Sequence, residues 1–233
     1  MEIENYASTK KGKNNIINQD RILVDKVLLS GGEVHGKTAK PICVILCDGA
    51  GGETRGEWGA EIAASAFLDI SPVGETPASI YEHIHTINKE LLRIRTNLFQ
   101  PDKYIVSTIA GIMVSGNQVL LFNTGDTRIY SIVNGELTQV SVDHYVMDDQ
   151  KNRLLTKSIG GGIETWVPSI EFGEIKSNQG LLLVCSDGLY EIIENNYSNK
   201  MSVEFDEIVR ELTEIQDEGP VDDASFCIMK FKA

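Results

Sequence analysis

Between Thr108 and Val142 the chain leaves no room for helices between its apolar runs. Ser115-Gly116-Asn117 parts Thr108–Val114 from Val119–Asn123, and Asn134-Gly135 parts Arg128–Val133 from Leu137–Val142. Joining parallel strands takes a crossover of about a dozen residues or more, whereas Asn-Gly suits a tight hairpin because both residues tolerate positive φ. The middle of the chain is therefore predicted to be an antiparallel meander, which excludes an array of βαβ units. Arg21–Leu28, Ile42–Cys47, Leu181–Cys185 and Ser225–Phe231 read as further strands.

Helical spacing interrupts these strands in three places. Thr76-Pro77 has the form of a cap followed by a first-turn proline, and Ile80, Ile84, Ile87, Leu91, Ile94 and Leu98 then recur at intervals of three and four. Trp58, Ile62 and Ala66 predict a second helix, and Phe205, Ile208, Val209, Leu212 and Ile215 a third. Grouped strands and helices of this kind give an α+β class. The 42% hydrophobic content suffices for a real core, and nothing resembling a linker or repeat divides the 233 residues, so one domain over 1–233 is expected.

Acids outnumber bases 34 to 21, leaving a net charge of −13. That balance disfavours nucleic acid and anionic membranes as main partners and favours cations. No apolar run is long enough to span a bilayer, and the polar start has no signal-peptide core. Cys43, Cys47, Cys185 and Cys227 lie in apolar runs without a CxxC pair, so they read as buried reduced thiols. A cytoplasmic location is expected.

Two segments repeat one pattern: Val44-Ile45-Leu46-Cys47-Asp48-Gly49 and Leu182-Leu183-Val184-Cys185-Ser186-Asp187-Gly188. Each is a buried-type strand ending in Asp-Gly. A carboxylate there is costly unless it is neutralised or ligated, and the glycine permits a sharp turn and a close backbone approach. Asp20, Asp126 and the Asp222-Asp223 pair stand at similar strand ends. One Asp-Gly alone is an ordinary turn signal. Several together suit a centre of hard divalent cations, which prefer oxygen ligands.

In this order, the motifs resemble those of the metal-dependent protein phosphatases of type 2C in their compact bacterial form. The resemblance runs through Asn18-Gln19-Asp20, Asp48-Gly49-Ala50-Gly51-Gly52, Ser107-Thr108 and Asn123-Thr124-Gly125-Asp126-Thr127-Arg128-Ile129-Tyr130. It continues through Gln139, Asp143-His144, Leu155–Gly160, Ser186-Asp187-Gly188-Leu189 and Asp222-Asp223-Ala224-Ser225. It implies two stacked antiparallel sheets flanked by helices on both faces. It also implies that a serine/threonine phosphatase uses two Mn²⁺ or Mg²⁺ ions to activate water against phosphoserine or phosphothreonine on a protein. Asp48 would bridge the ions, the Gly49 carbonyl would ligate one, Asp187 and Asp222 the other, and Asp20 would support the first. Asp126 matches a third, weaker metal position. A monomer acting in signalling opposite a Ser/Thr kinase follows from the same likeness.

Four positions depart from the pattern. Gln19 replaces a Glu, Asn15 an Arg that grips phosphate, and Ala50 a His found in some members, while the segment from His144 to Leu155 is short. Lys13, or else Lys11, is the candidate to replace the missing Arg, though as a point charge without a planar fork. A reduced role in substrate selection is expected of the short segment. Two rival readings remain at this stage. One is a catalytically weak member of the fold that binds phosphoproteins. The other is a nucleotide site at Gly49–Thr54, which lacks the third glycine of G-x-G-x-x-G and the βαβ setting.

Overall fold

The computed structural model describes residues 1–50, 55–98, 105–150, 153–161, 171–176, 180–197 and 200–232. Its elements are β1 (Glu2–Lys10), β2 (Asp20–Val24), β3 (Val27–Leu29), β4 (Gly32–Thr38), β5 (Ile42–Asp48), α1 (Gly56–Ser65) and α2 (Pro77–Leu98). Then come β6 (Ile109–Ser115), β7 (Gln118–Thr124), β8 (Arg128–Val133), β9 (Glu136–Gln139), β10 (Tyr145–Met147) and β11 (Arg153–Leu155). The chain continues through β12 (Glu171–Lys176), β13 (Leu181–Cys185), α3 (Asp187–Tyr197), α4 (Phe205–Asp217) and β14 (Ala224–Lys232).

The strands form two six-stranded sheets, ordered β4-β1-β14-β13-β8-β9 and β12-β7-β6-β5-β2-β3, with β10-β11 as a separate hairpin. Every strand pair is antiparallel. Alternation along each central strand splits its side chains between two layers. On β5, Cys43, Ile45 and Cys47 pack with Ala60, Ala63, Ile84 and Leu91 of α1 and α2. Val44 and Leu46 instead face the other sheet, against Leu182, Val184 and Cys227. On β13, Leu181, Leu183 and Cys185 pack with Ile193, Ile208 and Leu212 of α3 and α4. The layers run helix, sheet, sheet, helix, as the α+β sandwich reading requires. Strands buried on both faces explain why these runs read as continuously apolar.

The Asn134-Gly135 hairpin forms as its chemistry demands, with φ of 53° and 79°. The α2 cap also forms: Thr76 Oγ1 accepts from Ser79 N at 3.2 Å. Ile80, Ile84, Ile87 and Leu91 are buried, while the Leu98 side chain lies outside the described residues. Three expectations need correction. The Arg21–Leu28 run is two strands, β2 and β3, folded at Asp25, whose φ is +54°. The Trp58-Ile62-Ala66 stripe is not the inner face of α1, because Trp58 is 43% exposed and Gly59, Ala60, Ala63 and Ala64 face inward. Small residues are needed there: a Cβ on Gly59 would stand 2.9 Å from Val106 O. Finally, Asp187-Gly188 is not a free turn but the first turn of α3.

Candidate metal centre

The layer between the sheets is apolar along most of its length and turns polar at one end. On β2 the inward series Val24, Ile22 continues to Asp20, and on β5 Val44, Leu46 continues to Asp48. In the opposite sheet, Leu182 and Val184 lead on to Ser186, and Met229 and Cys227 to Ser225. Strand parity thus carries carboxyl and hydroxyl groups of both sheets to one place.

Hydroxyl groups satisfy this polar end. Ser186 Oγ donates to Asp20 Oδ2 at 2.8 Å, tying one sheet to the other. Thr108 and Thr127 hydroxyls lie 2.6 Å apart, and Thr108 Oγ1 accepts from Asp48 N at 3.0 Å. Asp223, buried at the foot of the cleft, accepts from Gly12 N and Gln19 N, each at 2.7 Å. The loop after β1 is thereby pinned to the start of β14. Two glycines let the acid-bearing segments meet. A Cβ on Gly49 would lie 2.3 Å from the Gly56 backbone, and one on Gly188 2.3 Å from Asp223 O. Their role is close packing between segments, with Gly188 set against the strand-end acids rather than in a sharp turn.

Above this layer opens a cleft of about 610 Å³ lined by Asp48, Gly49, Asp126, Asp187, Asp222 and Arg153, among others. Five of the six residues expected to hold metal therefore share one wall. Asp20 lies behind them, buried and directly opposite Asp48 across the β2–β5 ladder. Burial, reinforced by the charges of Asp20, Asp187, Asp126 and Asp222, holds the Asp48 carboxyl well above its ordinary pKa. Asp20 is raised in the same direction, first by burial, while hydrogen bonds from Ser225 and Ser186 oppose the shift. Burial pushes Asp187 up to about 7, with Asp126 and Asp222 adding to it. Asp126 is also raised by burial, with Arg153 pulling the other way.

A group of acids that resists ionising lacks positive charge, and its oxygen-only donor set suits Mg²⁺ or Mn²⁺. The residues present therefore fit divalent cations. Among the described residues, no three His, Cys, Asp or Glu side chains already stand in coordinating positions. Arg153 Nη1 stands 3.4 Å from Asp187 Oδ2 and 3.6 Å from Asp126 Oδ2. The carboxylates thus share the cleft without closing on a common point, and a guanidinium supplies part of the missing charge.

The family profile described as Protein phosphatase 2C matches residues 9–223. The chain belongs to the protein phosphatase 2C family. Serine/threonine phosphatase stp of Listeria welshimeri is 25% identical over 188 residues, covering 70% of this chain and 72% of that protein. Serine/threonine protein phosphatase PstP of Mycobacterium tuberculosis is 28% identical over 166 residues, covering 63% of this chain and 31% of that protein. The crystal structure of Stp1 from Staphylococcus aureus superposes with a TM-score of 0.76 at 19% identity, over 97% of this chain and 94% of that one. Members of the protein phosphatase 2C family are metal-dependent, in keeping with the donor set.

Several 2C-type positions of this chain are placed differently from their expectations. Lys13 does not line the cleft; its Nζ donates to Glu218 O at 2.7 Å. Asn15 does line it, and its Nδ2 donates to Asp222 Oδ1 at 2.9 Å. Gln19 lines it too, with Nε2 reaching Glu57 Oε2 at 3.4 Å. Of the nucleotide-like loop, Gly51, Gly52, Glu53 and Thr54 lie outside the described residues. The short segment after His144 forms the β10–β11 hairpin and supplies Arg153, Leu154 and Leu155 to the wall. Arg153 falls just outside the Leu155–Gly160 motif, and its pairing in the β10–β11 hairpin sets it at the cleft.

Proposed function

We propose that this chain is a protein serine/threonine phosphatase, one catalytic domain over residues 1–233, that hydrolyses phosphoserine and phosphothreonine on proteins. The observation that carries the reading is the gathering of Asp48, Asp126, Asp187 and Asp222 in one cleft of a protein phosphatase 2C chain. The relatives named as serine/threonine phosphatases support it.

Asp48, the Gly49 carbonyl, Asp187 and Asp222 are the groups assigned to two Mn²⁺ or Mg²⁺ ions, with Asp126 at a third, weaker position. Such ions, when bound, lower the pKa of water and offset charge on a phosphoryl group. The chain's own residues do the positioning. Asp48 lines the cleft and feels the charges of the other four aspartates. Asp20 supports it from behind, held by Ser186. Asn15 and the Asp223 amide both donate to Asp222 Oδ1, at 2.9 and 2.8 Å, fixing that carboxylate at the mouth. Ala50 has no proton to give the leaving serine or threonine oxygen, which would take one from water or another acid.

We extend the proposal to a monomeric cytoplasmic enzyme acting in signalling opposite a Ser/Thr kinase. Its four cysteines are free and buried, which fits a reducing compartment. Among the described residues, no helix is long and apolar enough to cross a membrane. The test is turnover of p-nitrophenyl phosphate and a phosphoserine peptide, with Mn²⁺ and after dialysis against chelator. Strict dependence on the ion is expected, and undiminished turnover in chelator overturns the mechanism. Phosphopeptide binding without any turnover would instead establish a non-catalytic binder.

A further inference from the structure

Arg153 is the only lysine or arginine among the described residues that line the cleft. It begins β11 and pairs with Met147 across the hairpin. Its Nη1 donates to Tyr190 Oη at 2.7 Å, and its Nη2 meets Glu191 Oε1 at 2.8 Å. The Tyr145 and Tyr190 ring centroids lie 4.7 and 5.4 Å from its Cζ. Its contacts with Asp187 and Asp126, at 3.4 and 3.6 Å, are longer than good charge-assisted hydrogen bonds. Nε–H is buried with no acceptor among the described residues.

A purely structural arginine would close its fork on one carboxylate. Arg128 does so with two of its nitrogens, Nε and Nη2 both reaching Asp143, at 3.0 and 2.6 Å, while its Nη1 meets Glu194 at 2.6 Å. Arg153 instead spreads one charge over three acids, two of them assigned to metal, and leaves a donor unsatisfied. That seat holds the side chain beside the cleft without exhausting its donors. When cations occupy Asp126 and Asp187, the guanidinium loses two of its partners. A phosphoryl group entering a wall of Asp48, Asp126, Asp187 and Asp222 then finds one planar cationic fork, matched to its oxygens.

We propose that Arg153 is the residue that holds the substrate's phosphate, carried on the β10–β11 hairpin, in the role the sequence suggested for Lys13. The inference rests on the phosphatase reading. In the cation-free protein the same guanidinium stands beside Asp126 and Asp187, so incoming divalent ions compete with it for those acids.

The test compares wild type with Arg153→Ala and Arg153→Lys, using inorganic orthophosphate and p-nitrophenyl phosphate as probes. Calorimetry of orthophosphate binding to the Mn²⁺-loaded protein is expected to show about ten-fold or greater weakening in Arg153→Ala, roughly one lost charge-assisted contact. KM for p-nitrophenyl phosphate is expected to rise by a similar factor with a smaller change in kcat, and Arg153→Lys to recover part of it. Mn²⁺ binding without phosphate is expected to be no weaker in Arg153→Ala than in wild type. Val146→Ala, an exposed change on the same hairpin, controls for general loosening. Orthophosphate affinity within about two-fold of wild type in Arg153→Ala overturns the proposal. So does an equal rise in KM for Val146→Ala. If Arg153→Ala does not fold, orthophosphate affinity in Arg153→Lys decides on the same two-fold criterion. Wild-type protein without phosphatase turnover defeats the phosphatase reading instead, so the two failures are distinguishable.

Discussion

Burial, with Asp126 and Asp222 nearby, moves the Asp187 carboxyl from 3.8 to about 7. Between those values the folded cation-free chain keeps a proton that the unfolded chain has released. Its stability therefore falls as pH rises from about 4 to 7, by at most about 1.4 kcal/mol per pH unit for that one proton. Asp187→Asn removes the titration. In chelator, this variant is expected to melt above wild type at pH 8 and to show a flatter pH dependence; in Mn²⁺ the order reverses, because wild type gains more from ligand binding. Melting curves at several pH values check this, and an unchanged order in Mn²⁺ would remove Asp187 from the ligand set. Ser186 acts one step behind. Ser186→Ala removes one of the two hydroxyls, with Ser225, that tie Asp20 to the opposite sheet. A loss of about 10–100-fold in Mn²⁺ affinity or activity is expected, as for other residues that orient metal ligands. Unaltered Mn²⁺ affinity by calorimetry and unaltered turnover would show the tie to be structural only.

The segments that bring the acids together depend on glycine at two contacts. Gly49→Ala and Gly188→Ala would each force a Cβ to within 2.3 Å of backbone. Each is expected to cost about 1–3 kcal/mol in urea unfolding, with activity falling as strand ends are displaced. A neutral Gly188→Ala would mean that α3 and the start of β14 are free to separate. The same elements show how far sequence could reach. β5 and β13 were legible because both faces are buried and the runs are apolar throughout. β1 was not, although it lies between β4 and β14: Glu4, Asn5, Ser8 and Thr9 are buried on it. The polarity of Glu4, Ser8 and Thr9 is answered by partners distant in sequence. Glu4 is held down to about 2, chiefly by its hydrogen bond from Lys232; Ser8 donates to Gln216, and Thr9 meets Ser225. The start of α3 hid for another reason: Asp187-Gly188 reads locally as a turn, and only the approach to Asp223 reveals why glycine stands in a helix. Asp48, Asp126, Asp187 and Asp222 announced themselves by ending apolar runs or standing in recognisable motifs. Arg153 did not, because nothing local distinguishes it from a surface arginine.

Across the whole molecule, the two sheets enclose an apolar layer that ends in acids, and the net charge is −13. A phosphorylated substrate is therefore repelled at long range and held only at the cleft. At low ionic strength kcat/KM for p-nitrophenyl phosphate is expected to rise a few-fold as salt approaches about 0.15 M, because screening weakens that repulsion. A steady fall with salt would indicate attraction dominated by local cations. The central claim is that aspartates delivered by two facing sheets hold divalent ions on which phosphoester hydrolysis depends. Its most direct test is Mn²⁺ binding by calorimetry alongside phosphoserine-peptide turnover, for wild type and Asp48→Asn. Wild type is expected to bind at least two ions and turn over substrate, while Asp48→Asn loses at least one ion and about 100-fold or more in rate. An Asp48→Asn protein that binds Mn²⁺ and hydrolyses the peptide like wild type would contradict the account.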